Sequence, residues 1–156
     1  MKHDLAPGTR APSFSIITDN AGKVSLAALK GKAFVLYFYP KDDTSGCTRE
    51  AVAFSESKRK FDALGVEVIG VSRDTIPSHE KFRSKHKLKI TLGSDPEKEL
   101  AEAYGVWVEK FLYGRKYMGV ERATFLIDAA GVIRHIWHKV KVPGHVEAVL
   151  AAAKTL

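Results

Sequence analysis

The longest apolar stretch of the chain is residues 33–39 (AFVLYFY). A half-exposed strand would alternate apolar and polar positions, so an unbroken run predicts a strand covered on both faces. Residues 66–72 (VEVIGVS) predict a second one. Between them the period becomes helical: Cys47, Ala51, Phe54, Phe61 and Leu64 follow at spacings of four, three, seven and three. Lys58 interrupts this stripe, and Gly65 stops the helix. Residues 13–18 (SFSIIT) predict a short strand, 19–22 (DNAG) a turn, and 24–30 a short amphipathic segment closed by Gly31. Further on, a helix is expected over 78–87 and a short strand over 89–92. Another helix is expected over 96–104, with Asp95 as N-cap and Pro96 at its first position. Residues 122–128 (RATFLID) and 132–138 (VIRHIWH) flank Ala129-Ala130-Gly131 and predict a hairpin. An alanine-rich helix over 146–156 follows.

Strands that alternate with helices, then a hairpin and a final helix, define an α/β protein. The layout matches a thioredoxin-like fold, a mixed central sheet flanked by helices, because the strand–helix–strand units need parallel crossovers. No repeat, low-complexity tract or linker divides the chain, so residues 1–156 are expected to form one domain. At 156 residues such a domain buries roughly two-thirds of its unfolded surface.

Composition narrows the function. No run approaches the roughly 20 apolar residues that span a bilayer, so no membrane association is expected. The N-terminal residues lack the apolar core of a signal peptide, which favours a cytoplasmic protein. The net charge of +7 and pI of about 9.5 would suit an anionic partner. The basic residues alternate with acids, however, and the densest cluster, 83–89 (RSKHKLK), reads as the end of a solvated helix. No aromatic-basic module is present, and nucleic acid is not expected as a partner.

The chain has one cysteine, Cys47. It cannot form an internal disulfide, which fits a reducing compartment and requires any disulfide chemistry to involve a second molecule. A lone cysteine is usually a small core residue, and Cys47 lies on an apolar helical stripe. Its place at a strand-to-helix turn nevertheless favours a thiolate, because first-turn amides and the helix dipole stabilise negative charge there. The histidines make no metal site. His135 and His138 are three apart on an expected strand, and His79 and His86 are seven apart on a helix without nearby carboxylates or thiols. Trp107 and Trp137 read as core or pocket-wall residues.

Pro40, Thr44 and Cys47 form a P-x-x-x-T-x-x-C motif. With the string YFYPKDDTSGCTRE around it, the chain resembles the peroxiredoxins, thiol peroxidases on a thioredoxin fold, and among them the bacterioferritin-comigratory-protein (PrxQ) subfamily. The resemblance extends through Ala11-Pro12-x-Phe14, VIGVSRD, LGSD, GVWVEK and Arg122-x-Thr124-Phe125-Leu126-Ile127-Asp128. Two departures stand out. Val52 and the Arg83-Ser84 pair occupy the places where many members keep a second, resolving cysteine, and Ser45 replaces a common proline. The resemblance therefore implies a one-cysteine member without a cofactor or metal.

It also implies roles. Cys47 attacks a hydroperoxide and becomes a sulfenic acid. Thr44, Arg122 and the amides near Gly46 and Cys47 stabilise charge on the two oxygens, and Pro40 shields the sulfur. Acidity alone is a weak lever. Lowering a thiol pKa from about 8.5 to about 6 raises the thiolate fraction at neutral pH roughly thirtyfold. At a Brønsted slope of about 0.45, the value for disulfide exchange, nucleophilicity falls roughly tenfold. Aimed donors must supply the rest. With no second cysteine, the sulfenic acid needs an external thiol, such as thioredoxin, glutaredoxin or glutathione, or a second subunit. A monomer or weak dimer is expected. The alternative is a redox-sensing or chaperone-like binding protein that uses Cys47 stoichiometrically.

Overall fold

The computed structural model describes residues 5–156. The first four residues, most of the stretch weighed as a leader, lie outside the described residues. In chain order the elements are β1 (Ser15–Thr18), β2 (Lys23–Ser25), β3 (Ala33–Phe38), α1 (Ser45–Glu56), α2 (Lys58–Ala63), β4 (Val66–Ser72) and α3 (Ile76–His86). There follow β5 (Thr91–Ser94), α4 (Glu99–Ala103), β6 (Trp107–Leu112), β7 (Arg115–Val120), β8 (Ala123–Ile127), β9 (Ile133–Trp137) and α5 (His145–Ala153). Seven strands form one sheet in the order β2-β1-β5-β4-β3-β8-β9, and β6 and β7 form a separate hairpin. The pairs β3–β4 and β4–β5 are parallel, and the remaining neighbours are antiparallel. The sheet is mixed, as the sequence predicts.

The apolar run of β3 divides by strand alternation. Phe34, Leu36 and Phe38 enter one core with Leu100, Tyr104 and Phe125. Val35, Tyr37 and Tyr39 enter the other with Cys47, Phe54 and Phe61. All six β3-side residues are 0–1% exposed, and each contributes about 1.5–3 kcal/mol relative to an exposed position. The register sets Tyr37 beside Gly70 of β4. A Cβ at Gly70 would lie 2.7 Å from the Tyr37 ring, so the glycine inside VIGVS leaves the space that the ring fills.

Several boundaries differ from the sequence expectation. The helix expected from Cys47 to Leu64 is two helices. The Ser57 N–H is shared between the carbonyls of Ala53 and Phe54, both at 3.2 Å, and the Ser57 carbonyl starts the next turn. Phe54 and Phe61 still meet, with ring centroids 6.0 Å apart. The helix expected from Pro96 begins at Glu99 because Lys98 is left-handed, with φ of 53°. Asp95 nonetheless caps it, accepting from Leu100 and Ala101 N–H at 3.1 and 2.9 Å. The strand expected over 89–92 sits two residues later, since Lys89 N–H is taken by the Ser55 hydroxyl. Only residues 23–25 of the amphipathic segment and its flank are regular, as β2. Arg83 is not solvated: it is half-buried against Asp19 and donates to the Leu88 and Ile90 carbonyls.

The β6–β7 hairpin is absent from the sequence reading. Phe111, Tyr113 and Met118 are exposed, so no core-facing alternation marks its tip. Its turn, Tyr113-Gly114, has positive φ at both residues, the geometry of a two-residue hairpin loop without the usual Asn-Gly signal.

Candidate active site

The end of β3 and the start of α1 place Cys47 at the third residue of α1, and the thiol is 2% exposed. The first-turn N–H groups lack intrahelical partners, and no carboxylate occupies that turn to compete for them. Thr44 is the N-cap by backbone, its carbonyl accepting from Thr48 N–H at 2.8 Å. Its side chain makes no capping bond. The hydroxyl donates instead to the Lys41 carbonyl at 2.9 Å, and its lone pairs remain open. Pro40 is exposed at the turn, immediately after the buried Tyr39.

Arg122 reaches this site from the residue before β8, not from within a strand as expected. Its Nη2 lies 3.3 Å from Cys47 Sγ, and its Nη1 donates to Glu50 Oε1 at 2.7 Å. Gly46 allows the approach: a Cβ there would stand 3.1 Å from Nη2. Burial opposes the charge on Arg122, but Glu50 and Cys47 outweigh it and its pKa rises. Glu50 was missed in the sequence. It is fully buried, and its Oε2 has no hydrogen-bond partner. Burial drives its pKa up to about 7 against the pull of Arg122. The spacing Cys47–Glu50, three residues on one helix, puts both on the same face and was the available signal.

Behind this group lie two further buried polar side chains. The Tyr37 hydroxyl has no partner, and burial, then Glu50 and Cys47, hold its pKa far above the ordinary range. His145 lies 2.8 Å from the Thr124 hydroxyl through Nε2. Burial, with Arg122 adding to it, lowers its pKa to about 4.

His79 and His86 correct another expectation, because both meet carboxylates. They lie 2.7 Å from Asp42 and 2.8 Å from Asp43, which precede Thr44. His138 pairs with Glu121. Among the described residues no three His, Cys, Asp or Glu side chains are grouped to hold a metal ion. Trp137 packs on the Cys47 core, whereas Trp107 lies under Arg73, 5.0 Å from the ring centroid.

Known proteins share this architecture. The AhpC/TSA family matches residues 7–136. The chain is 49% identical to a putative peroxiredoxin bcp of Coxiella burnetii, over 92% of this chain and 95% of that one. It is 46% identical to the peroxiredoxin Bcp of Bacillus subtilis, over 96% and 95% of the two chains. Among solved structures, peroxiredoxin Q of Xanthomonas campestris superposes with a TM-score of 0.87 at 41% identity, covering 91% of this chain and 90% of that one. A C47S mutant of PrxQ from Xylella fastidiosa gives 0.92 at 34% identity, over 98% of each. The chain, with a single cysteine at the head of α1, belongs to the AhpC/TSA family and within it to the Bcp/PrxQ peroxiredoxins.

Proposed function

We propose that Cys47 is the peroxidatic nucleophile of a one-cysteine thiol peroxidase, the class of enzyme to which this family membership assigns the chain. The observation that carries the reading is the 3.3 Å approach of Arg122 Nη2 to Cys47 Sγ in the first turn of α1. The thiolate sulfur attacks one peroxide oxygen in line. A sulfur–oxygen bond forms, the oxygen–oxygen bond breaks, and the departing oxygen takes a proton and leaves as water or alcohol. Arg122 sets its positive charge beside the sulfur and faces the charge that develops on the oxygens. The Thr44 hydroxyl donates its hydrogen bond to the Lys41 carbonyl and so offers lone pairs to a peroxide O–H. Gly46 admits the guanidinium, and the shielding role of Pro40, which is exposed at the turn, rests on the family resemblance.

The sulfenic acid on Cys47 is resolved by an external thiol. The thiol sulfur bonds to Sγ and water is lost, and a second thiol then frees Cys47 from the mixed disulfide. Hydrogen peroxide and organic hydroperoxides both fit this chemistry. The X. campestris relative has been described in terms of alkyl peroxide reduction, which supports the wider range. A monomer or weak dimer in the cytoplasm, without nucleic acid, suits a lone cysteine kept reduced. No helix among the described residues is long and apolar enough to cross a membrane.

Steady-state peroxide consumption with a thiol donor tests the reading. Repeated turnover, abolished by Cys47→Ser, supports it. One equivalent of peroxide consumed without turnover would instead favour a stoichiometric redox sensor or binding protein, which the absence of a second cysteine would suit.

A further inference from the structure

The segment joining β3 to α1 is pinned from outside the site. Asp42, in its middle, is 7% exposed. Its Oδ1 accepts the Tyr39 hydroxyl at 2.6 Å, and its Oδ2 accepts the Ser78 hydroxyl at 2.8 Å. The same Oδ2 lies 2.7 Å from Nδ1 of His79, a fully buried residue of α3. The Asp42 N–H donates to Asp74 Oδ2 at 2.8 Å, and Asp74 also accepts from the Ser72 hydroxyl at 2.5 Å. On the far side of its ring, Nε2 of His79 lies 2.9 Å from the Gly93 carbonyl.

These contacts set the protonation of His79. A carbonyl can only accept, so Nε2 carries a hydrogen. Nδ1 faces a carboxylate oxygen that already accepts from Ser78, so it carries one as well, and the ring is an imidazolium. Moving the proton onto Asp42 would weaken the two hydroxyl bonds that the carboxylate receives. The ionisable groups facing the ring are Asp42 from the segment, Tyr39 at the end of β3, and Asp74 between β4 and α3; β5 contributes the Gly93 carbonyl. Burial lowers the His79 pKa, but Asp42, Gly93 and Asp74 together raise it above the ordinary value.

We propose that His79, as an imidazolium bound to Asp42, is a positioning residue for the peroxidatic site. It latches the segment that carries Thr44 and leads into the first turn of α1 onto α3. The inference rests on the reading of Cys47 as the peroxidatic nucleophile. A folded pKa above the unfolded one of about 6.5 makes the latch fully stabilising below that value. The stabilisation is lost as pH rises through the folded pKa, so the latch opens on the alkaline side. Removing one partner strands the other as a buried charge, which costs more than removing both. Lys85 and His86 also hold Asp43, at 2.7 and 2.8 Å, but these contacts are solvent-exposed and weak.

The test combines one spectrum with one rate. In 15N-histidine-labelled wild-type protein at pH 7, both ring nitrogens of His79 should show the shifts of a protonated ring. In stopped flow, His79→Gln should slow Cys47 oxidation by hydrogen peroxide by on the order of ten- to hundredfold. The double variant Asp42→Asn/His79→Gln should recover part of that loss. The wild-type rate should fall at alkaline pH, and His79→Gln should lack that fall. Should His79→Gln not fold, Ser78→Ala removes one donor without stranding a charge and should slow oxidation several-fold. A neutral His79 ring at pH 7, or oxidation of the folded variants at the wild-type rate, would overturn the proposal. Slow oxidation of the wild-type protein itself would count against the peroxidase reading, and the spectrum would still report on the latch.

Discussion

Nη2 of Arg122 lies 3.3 Å from Sγ of Cys47, across 75 residues of sequence. A guanidinium cannot be deprotonated in a protein, so this contact brings a permanent positive charge to a sulfur already at a helix N-terminus. The other arm of the same guanidinium is held by Glu50. Arg122 is thereby fixed in direction as well as charge, which is what a preorganised charge-stabilising donor needs.

Thr44 separates capping from chemistry. Its hydroxyl makes no capping bond and serves only Lys41. Thr44→Val should therefore change unfolding free energy by no more than about 1 kcal/mol. It should slow Cys47 oxidation by on the order of tenfold, the worth of one neutral hydrogen bond, and Thr44→Ser should retain most of the rate. Urea denaturation and stopped-flow oxidation measure the two effects. A Thr44→Val protein oxidised as fast as wild type would remove Thr44 from the chemistry.

Gly46→Ala gains up to about 1 kcal/mol of helix propensity but sets a Cβ 3.1 Å from Arg122 Nη2. Thermal stability should hold or rise while the oxidation rate drops several-fold, because the guanidinium must shift. An unchanged rate would show that the approach tolerates a methyl group.

Glu50 and His145 give opposite pH dependences. The Glu50 pKa is raised to about 7 by burial, so its folded form keeps a proton that the unfolded form loses near 4.5. Its contribution makes stability fall as pH rises between those values. The His145 pKa is depressed to about 4 by burial, so its contribution falls as pH drops from about 6.5. Between about 4.5 and 6.5 the two slopes oppose each other. Denaturation at a series of pH values should show Glu50→Gln more stable relative to wild type as pH increases toward neutrality. A parallel pair of profiles would contradict the assignment of Glu50.

The single cysteine leaves the sulfenic acid to await an external thiol. Excess peroxide without a thiol donor should convert Cys47 to sulfinic acid, read as a mass increase of two oxygens. Finding only sulfenic acid or disulfide after a large excess would show that the site protects itself.

Much of the frame was legible because β3 and β4 are written in long apolar runs, and Thr44, Cys47 and Arg122 lie in motifs that the family resemblance carries. The contacts that tune the site were less visible. Glu50 looks like any surface glutamate until Arg122 is brought to it. Asp42 and His79 are 37 residues apart, and neither sits in a pattern that periodicity detects. The β6–β7 hairpin escaped because its tip faces outward and its turn is Tyr-Gly. The α1–α2 break escaped because Phe54 and Phe61 keep their helical phase across Ser57.

The most direct test is the second-order rate of Cys47 oxidation by hydrogen peroxide at neutral pH, against Cys47→Ser. Trp137, packed on the same core cluster as Cys47, supplies a fluorescence reporter. A rate several orders of magnitude above that of a free thiol, absent in Cys47→Ser, is the predicted result. A rate equal to that of a free thiol would contradict the central claim that Arg122 and the first turn of α1 activate Cys47.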